Sequence, residues 1–344
     1  MLVSIRALIV VVAAILLCAI GAHLTQADDL PKESSPQEGA GPWTSPLIAS
    51  KTVPIYQTTN NTTLVDNVLL GVIRYHYDET MSSCHNLLLL GVGTFMSVTD
   101  YDKISKKIAS KSAIVVIVTD HNVNRIIKTS PQKYALLNNE VMHQLSQLLP
   151  SICGNVSSND TNVRLLFGGH SASGQAAIQA WQQGLLNTGR RSVAFLGLDP
   201  YEISNATIDQ RVGLVIPSLT WGFTKTTCLV NTEKAAMAAF EMTKSLRVLY
   251  AIDNVDKLCA TMTHCAFTNQ GCGLFVCSTN AKFEWIHDAV AESIGIFLEG
   301  IRGAFPFDHS HFEPAKSLPC NVQVYVNKGN SSRKVASQHM LTEK

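Results

Sequence analysis

Residues 164–178 read Arg-Leu-Leu-Phe-Gly-Gly-His-Ser-Ala-Ser-Gly-Gln-Ala-Ala-Ile. An apolar run, a glycine-rich hinge carrying Ser171 and then a helical pattern form a strand-turn-helix that lifts a serine hydroxyl out of the end of a sheet. Such a turn is crowded, so the residues two before and two after the serine must be small; here they are Gly169 and Ser173, with Gly174 following. Ser173 therefore stands where the strict G-x-S-x-G pattern has its second glycine. A serine hydroxyl is a weak nucleophile until an imidazole accepts its proton, and the imidazole needs a carboxylate to orient it. Of the eleven histidines, His264 follows the last expected strand and precedes the final long helix, the place for a base. His170 reads as packing beside the serine, His287 as a helix-face residue, and His309 and His311 as tail residues. Asp199, just before Pro200 at the end of an apolar run, is the expected acid, because the proline ends the strand and turns the carboxylate into the crevice. Asp253 is the alternative acid, and a helix cap is the bland reading of Asp199. The oxyanion of an acyl-transfer reaction needs two N–H donors. Ala172 supplies one, and Val92 or Gly93 in Gly91-Val-Gly-Thr-Phe95 the other.

These residues need a scaffold, and hydrophobic patterning provides one. Apolar runs at 87–90, 113–119, 163–167, 193–198, 212–219 and 246–252 read as strands. Helical patterns lie between them at 101–110, 132–149, 172–186, 232–245 and 281–301. The alternation implies an α/β protein with a mostly parallel central sheet and helices on both faces. Residues 63–77 can add a pair of outer strands. Between 200 and 232 there is room for a strand and a loop but not for a separate lid domain.

Composition narrows the function classes. Charged residues make up 15% of the 344, the formal net charge is +1, and no basic block occurs, which argues against nucleic acid as a partner. Residues 1–27 have the grammar of a signal peptide: Arg6, an apolar run over 7–20, then small residues. The run is short for a membrane span, and an uncleaved anchor is the alternative. Residues 28–51 read as a flexible N-terminal arm, 52–303 as the catalytic domain and 304–344 as a C-terminal extension tethered through Cys320. Beyond the signal, the even set Cys84, Cys153, Cys228, Cys259, Cys265, Cys272, Cys277 and Cys320 permits four disulfides. Four of these, Cys259, Cys265, Cys272 and Cys277, surround His264 and are expected either to brace its loop or only to stabilise a secreted domain. Their spacing has no C-x-x-C pair, so a zinc site is not expected, and His309 with His311 makes a weak chelate. N-x-S/T sequons begin at Asn60, Asn61, Asn155, Asn159, Asn205 and Asn330.

The segments 87–93, 108–117, Gly169-His-Ser-Ala-Ser-Gly174, Gly197-Leu-Asp-Pro200 and Thr263-His-Cys-Ala-Phe267 resemble the chlorophyllase-like branch of the α/β-hydrolase superfamily over about residues 66–303. The resemblance implies an α/β-hydrolase fold and a Ser-Asp-His triad at Ser171, Asp199 and His264, with the acid after the sixth strand. Plant chlorophyllases carry arginine and glycine where this chain has Ala172 and Ser173, so the resemblance does not extend to chlorophyll as substrate. The expected activity is that of a secreted carboxylic-ester hydrolase acting on a small or lipid-like ester, with no cofactor and no metal. The alternative is a binding or adhesion protein that keeps the fold without the chemistry.

Overall fold

The structure, a computed structural model, describes residues 47–57, 68–94, 96–121, 130–156, 163–189, 191–201, 214–224, 235–253, 264–269, 284–314 and 318–329. All of them fall within one unit, Pro46–Lys344.

Nine strands form a single sheet: β1 (Ile48–Tyr56), β2 (Leu69–Asp78), β3 (Asn86–Gly91), β4 (Val115–Asp120), β5 (Arg164–His170), β6 (Ser192–Leu198), β7 (Ser218–Phe223), β8 (Arg247–Ile252) and β9 (Val322–Asn327). Their spatial order is β1-β2-β4-β3-β5-β6-β7-β8-β9. The six strands from β4 to β8 are parallel. β1, β2 and β9 join antiparallel at the two sides. The helices are α1 (Asp102–Ser112), α2 (Pro131–Leu148), the single turn α3 (Pro150–Cys153), α4 (Ala172–Gln182), α5 (Ala235–Met242) and α6 (Glu284–Ile301).

Alternate residues of a strand point to opposite faces, and the apolar runs use both. Leu88, Leu90, Val116, Val118, Leu166 and Leu196 pack with α1 and α6, while Leu87, Leu89, Val115, Ile117, Leu165 and Phe167 pack with α2 and α4. That explains why the central strands show no polar alternation. α1 is also fastened to α6 by charge: Lys103 meets Glu284, Lys107 meets Asp288, and Lys111 meets Asp288 and Glu292. Cys84, just before β3, is bonded to Cys153 at the end of α3 across a separation of 69 residues. Cys265 and Cys320 are disulfide-bonded as well. Cys228, Cys259, Cys272 and Cys277 lie outside the described residues, as does the segment 1–27 read as a signal peptide. Among the described residues no helix is long and apolar enough to cross a membrane.

Four departures from expectation bear on the fold. The sheet begins at Ile48, inside the segment read as an arm, and the outer pair is β1 and β2 rather than two strands within 63–77. β7 starts at Ser218 and not at 212, because Pro217 has no N–H to give the ladder; Leu214 forms only an isolated bridge to Thr243. α4 ends at Gln182, four residues early, where Gly184 takes φ +66°. The C-terminal segment is more than an extension: Phe307 and Phe312 are buried in the core, and β9 pairs with β8 along its whole length.

Candidate active site

The carboxyl ends of parallel strands are where an open α/β sheet collects its ligand-handling residues. β5 delivers His170 and then Ser171, which takes φ 55° and ψ −127° before α4 begins at Ala172. A non-glycine residue in that conformation costs about 1–3 kcal/mol and persists only where its surroundings hold it. Ser171 is held on both sides: its N–H donates to the carbonyl of Leu198 at 3.2 Å, and its own carbonyl accepts from the N–H of Tyr201 at 2.9 Å. Close approach to β6 requires Gly168, where a Cβ would lie 1.7 Å from the Leu196 carbonyl oxygen.

Ser173 occupies the place of the missing second glycine because its neighbours give way instead. A Cβ on Gly91 or on Gly169 would lie 2.6 Å or 2.8 Å from the Ser173 Cβ. The Ser173 hydroxyl donates to the carbonyl of Val92 in a short hydrogen bond, tying α4 to the loop after β3.

Asp199, at the end of β6, also has positive φ, at 41°. Its N–H donates to the Trp221 carbonyl at 2.7 Å. The Asp199 carboxylate accepts from Nδ1–H of His264 at 2.6 Å, with both side chains almost wholly buried. An Nδ1 proton given to a carboxylate leaves Nε2 bare in the neutral ring, the tautomer a base requires. Asp253 accepts from the Thr224 hydroxyl at 3.4 Å. The pairing thus joins His264 to Asp199, the expected acid.

His264 opens a 3-10 turn, His264–Phe267, whose four residues are all buried. Besides the disulfide at Cys265, hydrogen bonds of three side chains tether it. His170 Nε2 donates to the His264 carbonyl at 2.8 Å, with the two rings 4.4 Å apart. His287, on α6, donates to the Ala266 carbonyl at 3.1 Å. Asn269 donates through its side chain to the Thr99 carbonyl at 2.6 Å and through its backbone to Asp100, and accepts from the Lys103 N–H at 2.8 Å. His170 and His287 thus each hold a backbone carbonyl of the segment that carries the base. Nothing in the sequence around Asn269 signals this role, because its partners lie about 170 positions away in the chain.

The oxyanion donors need a correction. Ala172 begins α4, so its N–H is one of the four that a helix N-terminus leaves without an intrahelical acceptor. Val92 and Gly93 do not offer theirs. The Val92 N–H continues the sheet ladder to the Thr119 carbonyl at 3.1 Å, and the Gly93 N–H donates to the Tyr101 hydroxyl at 2.8 Å. Neither commitment has a local signal, since Thr119 and Tyr101 come from other elements.

Burial keeps His170 well below the ordinary histidine pKa, reinforced by the charge on neighbouring His264. It raises Tyr101 well above the usual tyrosine value. Both groups are thus neutral at working pH. Among the described residues no group of three or more His, Cys, Asp or Glu is placed to hold a metal; His309 donates to the Val324 carbonyl and His311 pairs with Asp308. No family model and no curated protein matches the chain.

Proposed function

We propose that the chain is a serine hydrolase of the α/β-hydrolase fold, from its chlorophyllase-like branch, and that it cleaves carboxylic esters through an acyl-enzyme. The observation that carries this reading is Ser171 at φ 55° on the turn from β5 into α4, with the His264–Asp199 pair reaching the same turn through His170, the residue before Ser171, whose ring lies 4.4 Å from that of His264. A strained serine costs stability, and a buried acid-imidazole pair packed on the residue before it has a use in activating its hydroxyl. Strand order and chain order support the reading: loop after β3, then serine, then aspartate, then histidine.

In this mechanism Ser171 Oγ attacks the acyl carbon while His264 Nε2 takes its proton. The imidazolium is steadied by Asp199. The proton passes to the leaving alcohol, and water, deprotonated by the same imidazole, then releases the acid. The Ala172 N–H and the N–H of Thr94 hold the oxyanion. Thr94 is the first amide along the loop after β3 with no partner among the described residues, once Val92 and Gly93 are committed. No metal or cofactor takes part.

The substrate class follows from the low charge density of the chain, 15% charged residues. Soluble short-chain aryl esters should turn over faster than long-chain emulsions, and the reverse order would contradict this. Export through the secretory pathway fits the signal grammar and the Cys84–Cys153 bond. Asn155, the one sequon asparagine among the described residues, is exposed. A fluorophosphonate probe tests the central reading. It should label the folded protein at Ser171 alone, whereas a folded protein that resists labelling would be the non-catalytic binding protein instead.

A further inference from the structure

We propose that Tyr101 and His170 are positioning residues that hold the loop after β3, the serine turn and the base-bearing segment in one register. This rests on the reading of Ser171 and His264 as nucleophile and base. Each hydrogen bond that links Gly93, Tyr101, His170 and His264 has one possible direction. The His264 carbonyl can only accept, so His170 Nε2, 2.8 Å away, must carry a proton. His170 is fully enclosed, 1% exposed, and its ring is neutral, which leaves Nδ1 as a bare acceptor. The Tyr101 hydroxyl, 2.7 Å from that Nδ1, must therefore be its donor. The Tyr101 oxygen still has lone pairs, and one accepts the Gly93 N–H at 2.8 Å. The chain runs Gly93 N–H to Tyr101 O–H to His170 Nδ1, and from His170 Nε2–H to the His264 carbonyl, with no atom left to choose.

The three segments it joins are far apart in sequence and carry separate parts of the chemistry. Gly93 precedes Thr94, the assigned oxyanion donor. His170 precedes Ser171. The His264 carbonyl belongs to the base itself. Tyr101 has no exposure, so its hydroxyl reaches no solvent and serves only these partners. A Cβ at Gly93 would lie 2.9 Å from His170 Nδ1 and 3.3 Å from Ser171 Cβ, which shows how closely the loop is seated. Asn269 fastens the base-bearing segment to the residues around Tyr101, so a shift in one is passed to the other.

The test compares Tyr101→Phe, His170→Gln and His170→Leu with wild type. kcat is normalised to fluorophosphonate-titrated Ser171. Tyr101→Phe keeps the ring and removes the link between Gly93 and His170. A misplacement on the order of 1 Å costs about a hundredfold in rate. kcat per labelled site should therefore fall between about tenfold and a hundredfold, with KM nearly unchanged. His170→Gln, whose amide can still donate to the His264 carbonyl, should recover part of what His170→Leu loses. A merely structural role would lower the melting temperature and the titratable fraction but leave kcat per labelled site intact, and that result overturns the proposal. Imidazole 15N NMR gives a readout independent of activity: His170 should be neutral with its proton on Nε2, and the Nδ1 resonance should move in Tyr101→Phe. A proton on Nδ1 would overturn the proposed chain of hydrogen bonds. Wild-type protein that neither labels nor turns over overturns the hydrolase reading and the catalytic consequence together. Active wild type with fully active Tyr101→Phe overturns the positioning role alone.

Discussion

Asp199→Asn separates the role of the acid from the stability of the fold. Asn tolerates positive φ at least as well as Asp, so the backbone at 41° is kept and the side chain still fills its buried place. The electrostatic change is decisive. At 2.6 Å the carboxylate can only accept, which pins the His264 proton on Nδ1. An amide can turn its NH2 toward the ring, and Nδ1 then becomes an acceptor. The proton moves to Nε2, which can then no longer take the proton of the serine hydroxyl. Loss of the correct tautomer in a serine triad lowers kcat about ten-thousandfold, equivalent to about 5 kcal/mol of transition-state stabilisation. The assay is steady-state hydrolysis of a short aryl ester beside a thermal melt. Asp199→Asn should lose nearly all turnover with its melting temperature close to that of wild type. Asp253→Asn, whose neighbour Thr224 can still donate to the new side chain, should stay within about twofold. A nearly active Asp199→Asn, or an inactive Asp253→Asn, would refute the assignment of the acid.

Gly93→Ala should lower kcat while the protein stays folded, since the new methyl meets His170 Nδ1 at 2.9 Å and Ser171 Cβ at 3.3 Å; full activity would show that the loop yields freely. Replacing Cys84 and Cys153 by serine removes a cross-link closing about 70 residues, worth about 4 kcal/mol in the chain-entropy account. A denaturant titration should register that loss. For pH, burial lowers His76, His121 and His287 to about 4, below the ordinary 6.5. The unfolded chain therefore binds protons first, so their contribution is complete above about 6.5 and is lost as pH falls toward 4. Melting temperature should decline across that window, and a flat profile between pH 7 and 4.5 would contradict it.

What the sequence made legible was local grammar and order. The small residues around Ser171 announce a crowded turn because the crowding comes from its immediate neighbours. Asp199 and His264 could be matched because strand ends converge in an α/β sheet. The α/β class with a mostly parallel sheet was readable from unbroken apolar runs such as Leu87-Leu-Leu-Leu90, which meet helices on both faces. The rest depended on distant pairing. β1 begins in Ile-Ala-Ser-Lys, which has little strand preference of its own and is ordered by β2. β9 was hidden in a polar tail because its partner, β8, lies about 75 residues earlier. The Val92 and Gly93 amides looked available because nothing near them in sequence signals Thr119 or Tyr101 as acceptors. Around His264 the hydrogen bonds of Asn269, His170 and His287 act beside the disulfide at Cys265, one of the four cysteines expected to brace this loop.

The central claim is a covalent one, and trapping the covalent species tests it most directly. Protein mixed with an aryl acetate, quenched in acid within the first turnovers and digested should carry one acetyl group, on Ser171. Ser171→Ala should carry none and release no phenol above background. Acetylation elsewhere, or turnover that survives Ser171→Ala, would contradict the account.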